Sequence, residues 1–529
     1  MSVSSAPLSR RLVLGASAAS AVASATAVAA AGPASAVGRP RRGKIDYPFT
    51  LGVASGDPEP TGVVLWTRLA PRPFDEGHGM RGNDRVQVRW QVATDERMRR
   101  VVARGNTATF DAWAHSVHIE ARGLQPGREY WYRFAAEGHL SPIGRTRTAP
   151  APGAPTASLT FASISCQAYD NGFFTSFPHI LADDPDFVMH LGDYVYEYGM
   201  SATAGLRNRP VPEVVQPRPE TLRQWRATHA LYKTDPDLQA LHRRIPMVIT
   251  WDDHEYINDY AGAAPDPAGG GPSPARSASY QAYWEHQPLR AAARFKSGEI
   301  RLYRRLAFGD LLQVDMIDGR QFRSVPPCGW GEAQACEAAY DPAITMLGAA
   351  QESWLYAGLG AAGARWNTIG TNVMVARLDH DGDLGELLWH DAWDGFPAAR
   401  NRLLDQLVAR KVPNPVFVTG DWHSTFVNDI RQDFDTPDSP VMATEFVGTS
   451  VTTNGDGIVY GPYYGPMVQH NPHIKFFDGD RRGYQRHTLT HDTWRTDLVM
   501  VDRVGTPTSP ASVLGSFVVE AGTPGAQPA

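Results

Sequence analysis

The sequence predicts an α/β protein preceded by an all-β segment, and two observations carry that reading. From about Tyr47 to Thr148, short runs of β-branched and aromatic residues follow one another with turn residues between them. Beyond Thr156, apolar strands alternate with helical stretches, and several of the strands run straight into polar clusters. At 529 residues the chain exceeds what a single core sustains, so a large domain with an accessory one is expected.

The elements are taken in chain order. Ser9-Arg10-Arg11-Leu12-Val13-Leu14 leads into a weakly apolar Ala/Ser run to Ala31 and an Ala34-Ser35-Ala36 end. Twin arginines, a mild apolar stretch and a small-residue cleavage site predict a twin-arginine export signal over residues 1–36. The twin-arginine translocase is then the export partner, and the mature protein is expected outside the cytoplasm. The run is too rich in Ala and Ser to partition well into a bilayer. No later stretch approaches the ~20 apolar residues of a span, so no transmembrane segment is expected.

Residues 45–149 are expected to form a β-sandwich. Gly62–Thr67, Val86–Val92 and Tyr130–Phe134 read as strands, and the second alternates apolar and polar residues, placing one face in a core and one in water. Leu124-Gln125-Pro126-Gly127-Arg128-Glu129-Tyr130 resembles the turn and tyrosine corner of a fibronectin type III or Ig-like module. A Pro/Ala/Gly stretch, Ala149–Thr156, reads as a linker. Residues 156–520 are then expected to form the larger, α/β domain.

Composition bounds the function. Hydrophobic residues make up 42% and charged residues 20%, as in globular proteins. The net charge of −6 disfavours nucleic acid as an obligate partner, though a local basic groove is compatible with it. Of three cysteines, Cys328 and Cys336 lie close enough for a local disulfide in an oxidising compartment. Cys166 remains single, either a core residue or a ligand thiol.

Four strands end in chemistry-bearing clusters: Ser165-Cys166-Gln167, Gly192-Asp193, Asp252-Asp253-His254 and Gly420-Asp421-Trp422-His423. Open α/β sheets bind ligands at the carboxyl ends of their strands, so one site could collect all four. Asp and His supply hard oxygen and nitrogen donors, Tyr196 a phenolate and Cys166 a thiolate, which together read as a metal site. Asp193 is placed to bridge two cations. Asp421 and His423 are expected to face one site from an extended segment.

These residues, with Trp251-Asp252-Asp253-His254-Glu255 and Asp318-Gly319-Arg320-Gln321-Phe322-Arg323, resemble the PhoD-like alkaline phosphatases, relatives of the calcineurin-like metallophosphoesterases. The resemblance runs from about Phe49 to Phe517. It implies a metallophosphoesterase-type domain of packed β-sheets flanked by helices, with a ferric iron held by Cys166, Asp193, Tyr196 and His423. Beside the iron it implies one or two calcium ions held by carboxylates, with Asp253 and Asp421 as ligands and Asp252 as a further one. His254 would protonate a leaving oxygen or steady the phosphoryl group, Glu255 would orient His254, and Arg320 would hold phosphate. Gly319 departs from the Thr expected before that arginine.

The implied activity is hydrolysis of phosphomonoesters and diesters by a metal-activated hydroxide. One alternative is a phosphodiesterase or metal-dependent phospholipase D with transient contact to phospholipid head groups. Another is a non-catalytic cell-wall binding protein. Residues 261–276 and the segment after Gly483 are expected to govern access. His473-Ile474-Lys475 with Asp480 matches one half of a phospholipase D pattern, and Gly358–Gly363 matches a dinucleotide fingerprint in the wrong strand–helix order. Both are expected to be loops without catalytic roles.

Overall fold

The computed structural model describes residues 45–80, 85–264, 274–361, 363–382, 386–436 and 438–529. The expected export signal and most of the 261–276 segment lie outside them.

Two large sheets stack face to face. One has ten strands and contains the parallel set Leu159–Ile164, Phe187–Leu191 and Met247–Thr250. The other has seven and contains the parallel set Leu312–Met316, Trp366–Thr371, Pro415–Thr419 and Val441–Val447. Period-two alternation explains the layering, because successive side chains leave a strand on opposite faces. Phe187, Met189 and Leu191 meet Val314, Met316 and Val418 between the sheets. Val188 and Ile249 face outward under helices Leu222–Lys233, Pro236–Arg244 and Pro274–His286. Ile369 and Phe417 face the opposite way, under helices Gly348–Gly358 and Pro397–Ala409. Strands buried on both faces read as continuous apolar runs, as these do.

Local signals start the helices. Thr221 and Gln224 form a reciprocal capping box before Leu222–Lys233. Asp235 accepts from the N–H groups of Asp237 and Leu238 at 2.9 and 3.0 Å, with Pro236 in the first turn where its missing donor costs nothing.

Residues 45–149 build two β layers around one apolar core that includes Val63, Leu65, Val88, Val92, Tyr132 and Phe134. Tyr130 Oη accepts from the Gln125 N–H at 2.8 Å, the contact expected of a tyrosine corner. One layer is a separate five-stranded sheet. The other, Val53–Glu59, Gly62–Arg68 and Ser116–Arg122, continues the ten-stranded sheet, because Val53–Glu59 pairs in parallel with Met247–Thr250 through Gly56 and Met247. Residues 45–529 consequently form one compact unit.

The segment after Gly483 is sheet. Arg482–Leu489, Thr493–Val501, Ala511–Glu520 and Thr523–Pro528 form the antiparallel edge of the ten-stranded sheet, so the expectation of an access-controlling segment there is corrected. Cys328 and Cys336 form the expected disulfide. The glycine pattern begins at Gly358, the last residue of helix Gly348–Gly358, and precedes strand Trp366–Thr371. Ile474 and Lys475 open strand Ile474–Asp478, which corrects the loop expected there; His473 bonds the Arg377 carbonyl, Lys475 pairs with Asp429, and Asp480 accepts from Val459 and Gly461, so the phospholipase-like pattern is scattered over separate structural contacts. Among the described residues no helix is long and apolar enough to cross a membrane.

Candidate metal centre

The parallel strands of both sheets deliver their carboxyl ends to one edge. Cys166, Asp193, Asp252 and Asp421 each stand two residues beyond the last residue of a strand. Four of the expected residues have left-handed backbone: Cys166 (φ 58°), Asp193 (φ 56°), Asp421 (φ 67°) and His423 (φ 51°). Such conformations in non-glycine residues cost of order 1–3 kcal/mol each and persist only where the surroundings impose them. This corrects the extended segment expected at 421–423. Trp422 is turned into the core, while Asp421 and His423 serve different sides of the site.

Hydrogen bonds tie the loops together. Cys166 N–H donates to the Gly192 carbonyl and Gln167 N–H to the Asp193 carbonyl, at 3.2 and 3.1 Å. Gly192 has φ 112°, and a Cβ there would stand 2.7 Å from the Asp252 nitrogen, so only glycine lets these loops touch. Glu255 accepts from the backbone N–H groups of Asp193 (3.1 Å), Tyr194 (2.5 Å) and Asp252 (2.8 Å). It braces two ligand loops. The partner of His254 is Glu197, whose Oε2 accepts from His254 Nδ1 at 2.8 Å, which corrects the orienting role expected of Glu255.

Three donor sets share Asp193: Cys166, Asp193 and His423; Asp193, Asp253 and His254; and Asp193, Asp252, Asp253 and Asp421. Within each set the donor atoms lie within 4.8 Å of one another. Tyr196 joins the first, its hydroxyl 2.9 Å from Asp193 Oδ2 and 3.4 Å from His423 Nε2, with Thr453 Oγ1 at 2.7 Å. Asp193 Oδ1 and Asp252 Oδ2 are buried without a hydrogen-bond partner. Buried carboxylate oxygens are seldom left so, and a cation is the partner their chemistry calls for.

Electrostatics point the same way. Burial pushes Asp193 up to about 7, against the pull of His254. Asp252 is raised well above the carboxylate range by burial, against Arg320; Asp421 is raised by burial and by repulsion from Asp252. Burial and Asp193 also raise the Cys166 thiol and the Tyr196 phenol, and burial with nearby His254 lowers His423 to about 3. Asp253 is held below the usual range, since His254 and Arg320 outweigh its burial. His254 is raised well above its ordinary value because Asp253, Glu197 and Asp193 outweigh burial. Crowded donors that resist ionisation while bare are those a cation would ionise on binding.

Arg320, expected to hold phosphate, is fully buried beneath the carboxylates. Its Nε bonds Asp252, its Nη1 bonds Asp391, and its Nη2 lies 3.7 Å from Asp253 and 3.8 Å from Asp421. It faces aspartates from below. The absence of Thr at 319 also has a cause: a Cβ at Gly319 would stand 2.6 Å from Asn372 Oδ1. Asn372, at the end of strand Trp366–Thr371, donates from Nδ2 to Asp252 Oδ1 at 2.7 Å. Sequence reading passed over Asn372, Glu197 and Thr453. The signal for Asn372 was present, since it is another polar residue following a strand. In front of the donors opens a cavity of about 320 Å³ walled by Tyr196, Tyr198, His254, Asn258, His423 and Tyr460, among others.

A family profile described as PhoD-like phosphatase matches residues 161–498. The chain belongs to the PhoD-like phosphatase family. A second profile, PhoD-like phosphatase, N-terminal domain, matches residues 32–150. Alkaline phosphatase D of Bacillus subtilis (strain 168) is 39% identical over 480 residues, 90% of this chain and 81% of that protein. A solved structure described as "Structure of PhoD" has a TM-score of 0.86 at 39% identity, covering 91% of this chain and 92% of that one. This PhoD-like phosphatase is therefore a phosphoric ester hydrolase, and the resemblance carried by four short motifs extends along most of the chain.

Proposed function

We propose that the protein is an exported, metal-dependent phosphatase that hydrolyses phosphomonoesters and, more slowly, diesters. The observation that carries this reading is the sharing of Asp193 by three donor sets, two of which differ in chemistry. Cys166, Tyr196 and His423 offer sulfur, phenol and imidazole, a shell suited to ferric iron. Asp252, Asp253 and Asp421 offer only oxygens, a shell suited to one or two calcium ions. Asp193 would serve both shells; its Oδ2 accepts from Tyr196 and its Oδ1 has no hydrogen-bond partner.

Bound there, the cations would supply Lewis acidity and a hydroxide nucleophile near neutral pH. The chain's own groups do the rest. Glu197 holds the His254 ring and favours its protonated form, so His254 faces the cavity as a donor to the leaving oxygen. Arg320 offsets the charge of the aspartates from below, a role that its burial favours over phosphate contact. Glu255 and Asn372 keep the ligand loops in place. The stacked sheets are read as a metallophosphoesterase-type domain over 156–520 and residues 45–149 as a fibronectin-III-like sandwich. Residues 1–36 are read as the twin-arginine signal of a secreted protein.

The test is metal analysis of protein purified without chelator, coupled to hydrolysis of a chromogenic monoester and diester before and after chelation. Near-stoichiometric iron with calcium, and activity lost on chelation and restored by calcium, is the expected result. Cys166→Ala is expected to lose iron and activity while remaining folded; unchanged iron in that variant would remove Cys166 from the ligand set.

A further inference from the structure

We propose that the outer face of the five-stranded N-terminal sheet is a binding surface for a linear phosphate-bearing polymer. Strand Val86–Ala93 lies between Val101–Thr109 and Glu129–Ala136 in this sheet. Its Val88 and Val92 enter the core, so Arg89 and Gln91 point outward. Register then aligns Arg104, Gln91 and Arg133 in one cross-strand row and Asn106, Arg89, Ala135 and Leu140 in the next. Arg89, Arg104, Asn106 and Leu140 are exposed. Together the rows floor an open depression of about 540 Å³ with no acidic residue in its lining.

Its three arginines carry surplus charge. Ion pairs in this segment use other arginines: Arg122 with Glu120, Arg145 with Glu129 and Asp184, and Arg147 with Asp186. Among the described residues no carboxylate pairs with Arg89, Arg104 or Arg133; Arg133 bonds Gln91 at 3.0 Å. Such a concentration in a chain of net charge −6 selects an anion.

Geometry decides which anion. Arg104 and Arg133 stand two strands apart, roughly 10 Å, and Arg89 lies ~7 Å further along. That spread is too wide for one phosphate and suits successive groups on a chain, each gripped by a planar guanidinium fork. Trp90 and Phe134, the aromatic residues of the lining, occupy inward register positions, so the face lacks the stacking platform that single-stranded nucleic acids use. Held here, a polymer would raise the local concentration of phosphate esters around the enzyme. The inference stands independently of the metal assignment.

The test compares the metal-loaded wild type with the triple variant Arg89→Gln, Arg104→Gln, Arg133→Gln. Binding of inorganic polyphosphate is measured by calorimetry at low and moderate salt, with orthophosphate present to occupy the catalytic cavity. The wild type is expected to bind with salt-sensitive affinity and the variant at least about tenfold more weakly, with unchanged thermal unfolding and monoester hydrolysis. Equal affinities, or no binding by the wild type at low salt, would overturn the proposal. Tighter binding of a charge-matched oligothymidylate than of polyphosphate would overturn the choice of polymer. Absence of monoester hydrolysis in both proteins would instead count against the proposed phosphatase activity and leave the binding result intact.

Discussion

Asp193 is common to all three donor sets, and in the proposed reading the residues around it divide the work of holding and of reacting. Glu197 and Glu255 separate these tasks: the first accepts from His254 and the Asn258 N–H and lies 4.0 Å from Arg218, the second accepts from the backbone of the loops that carry Asp193 and Asp252. Glu197→Gln is expected to lower kcat about 10- to 100-fold with metal content unchanged, because His254 loses its anionic partner. Glu255→Gln is expected to lower metal content, since an amide cannot accept equally at both atoms. Hydrolysis rates and metal stoichiometry on both variants check this, and the reverse pattern would return the orienting role to Glu255. Gly319→Thr is expected to cost about 1–3 kcal/mol of stability, because the added Cβ meets Asn372 Oδ1 at 2.6 Å. Adding Asn372→Ala should relieve most of that loss in denaturant unfolding; an unperturbed single variant would disprove the clash.

Strands and helices are held in register by buried polar straps as well as by apolar faces. Arg207 bonds Asp235 at 2.6 Å and the carbonyls of Tyr169 and Gly172 at 2.5 and 2.7 Å, and lies 3.8 Å over the Tyr169 ring. It ties the loop after Cys166 to the cap of helix Pro236–Arg244. Arg207→Met is expected to lose about 3–5 kcal/mol, since Asp235 would stay buried without its cation; a midpoint unchanged in thermal unfolding would show that the strap carries no net stability. A second strap reaches from the N-terminal layer. Lys233 Nζ donates to Tyr194 Oη at 3.0 Å and lies 4.7 Å over the Trp66 ring, connecting strand Gly62–Arg68 to the residue after Asp193.

At the scale of the whole molecule, metal, pH and stability are linked through the raised carboxyls. In the metal-free protein Asp193 holds its proton to about 7 and Asp259, raised by burial and by Asp391, to about 8, whereas the unfolded chain releases both near 3.8. The unfolded state thus binds fewer protons between these values, and each group costs more stability as pH rises from about 4 toward its folded pKa. Cations pairing with ionised Asp193 would remove its share of that cost, whereas Asp259 belongs to none of the donor sets. The midpoint difference between cation-loaded and chelated protein is expected to be larger at pH 8 than at pH 5 in scanning calorimetry; an equal or smaller difference at pH 8 would break the linkage.

What the sequence determined by itself was whatever is written locally. Continuous apolar runs specified strands buried on both faces, polar residues just past their ends marked Cys166, Asp193, Asp252, Asp253, Asp421 and His423 as candidates, and short separation specified the Cys328–Cys336 pair. Tertiary structure alone decided which carboxylate orients His254, where Arg320 points, why residue 319 is glycine, and that the N-terminal layer shares a sheet with the catalytic region. The reason is distance along the chain. Glu197 and His254 are 57 residues apart, Arg320 and Asp252 68, and Asn372 and Asp252 120. Strand pairing within the ten-stranded sheet brings Glu197 to His254, and the stacking of the seven-stranded sheet brings Arg320 and Asn372 to Asp252; no local pattern of residues encodes which of several nearby acids that packing will choose.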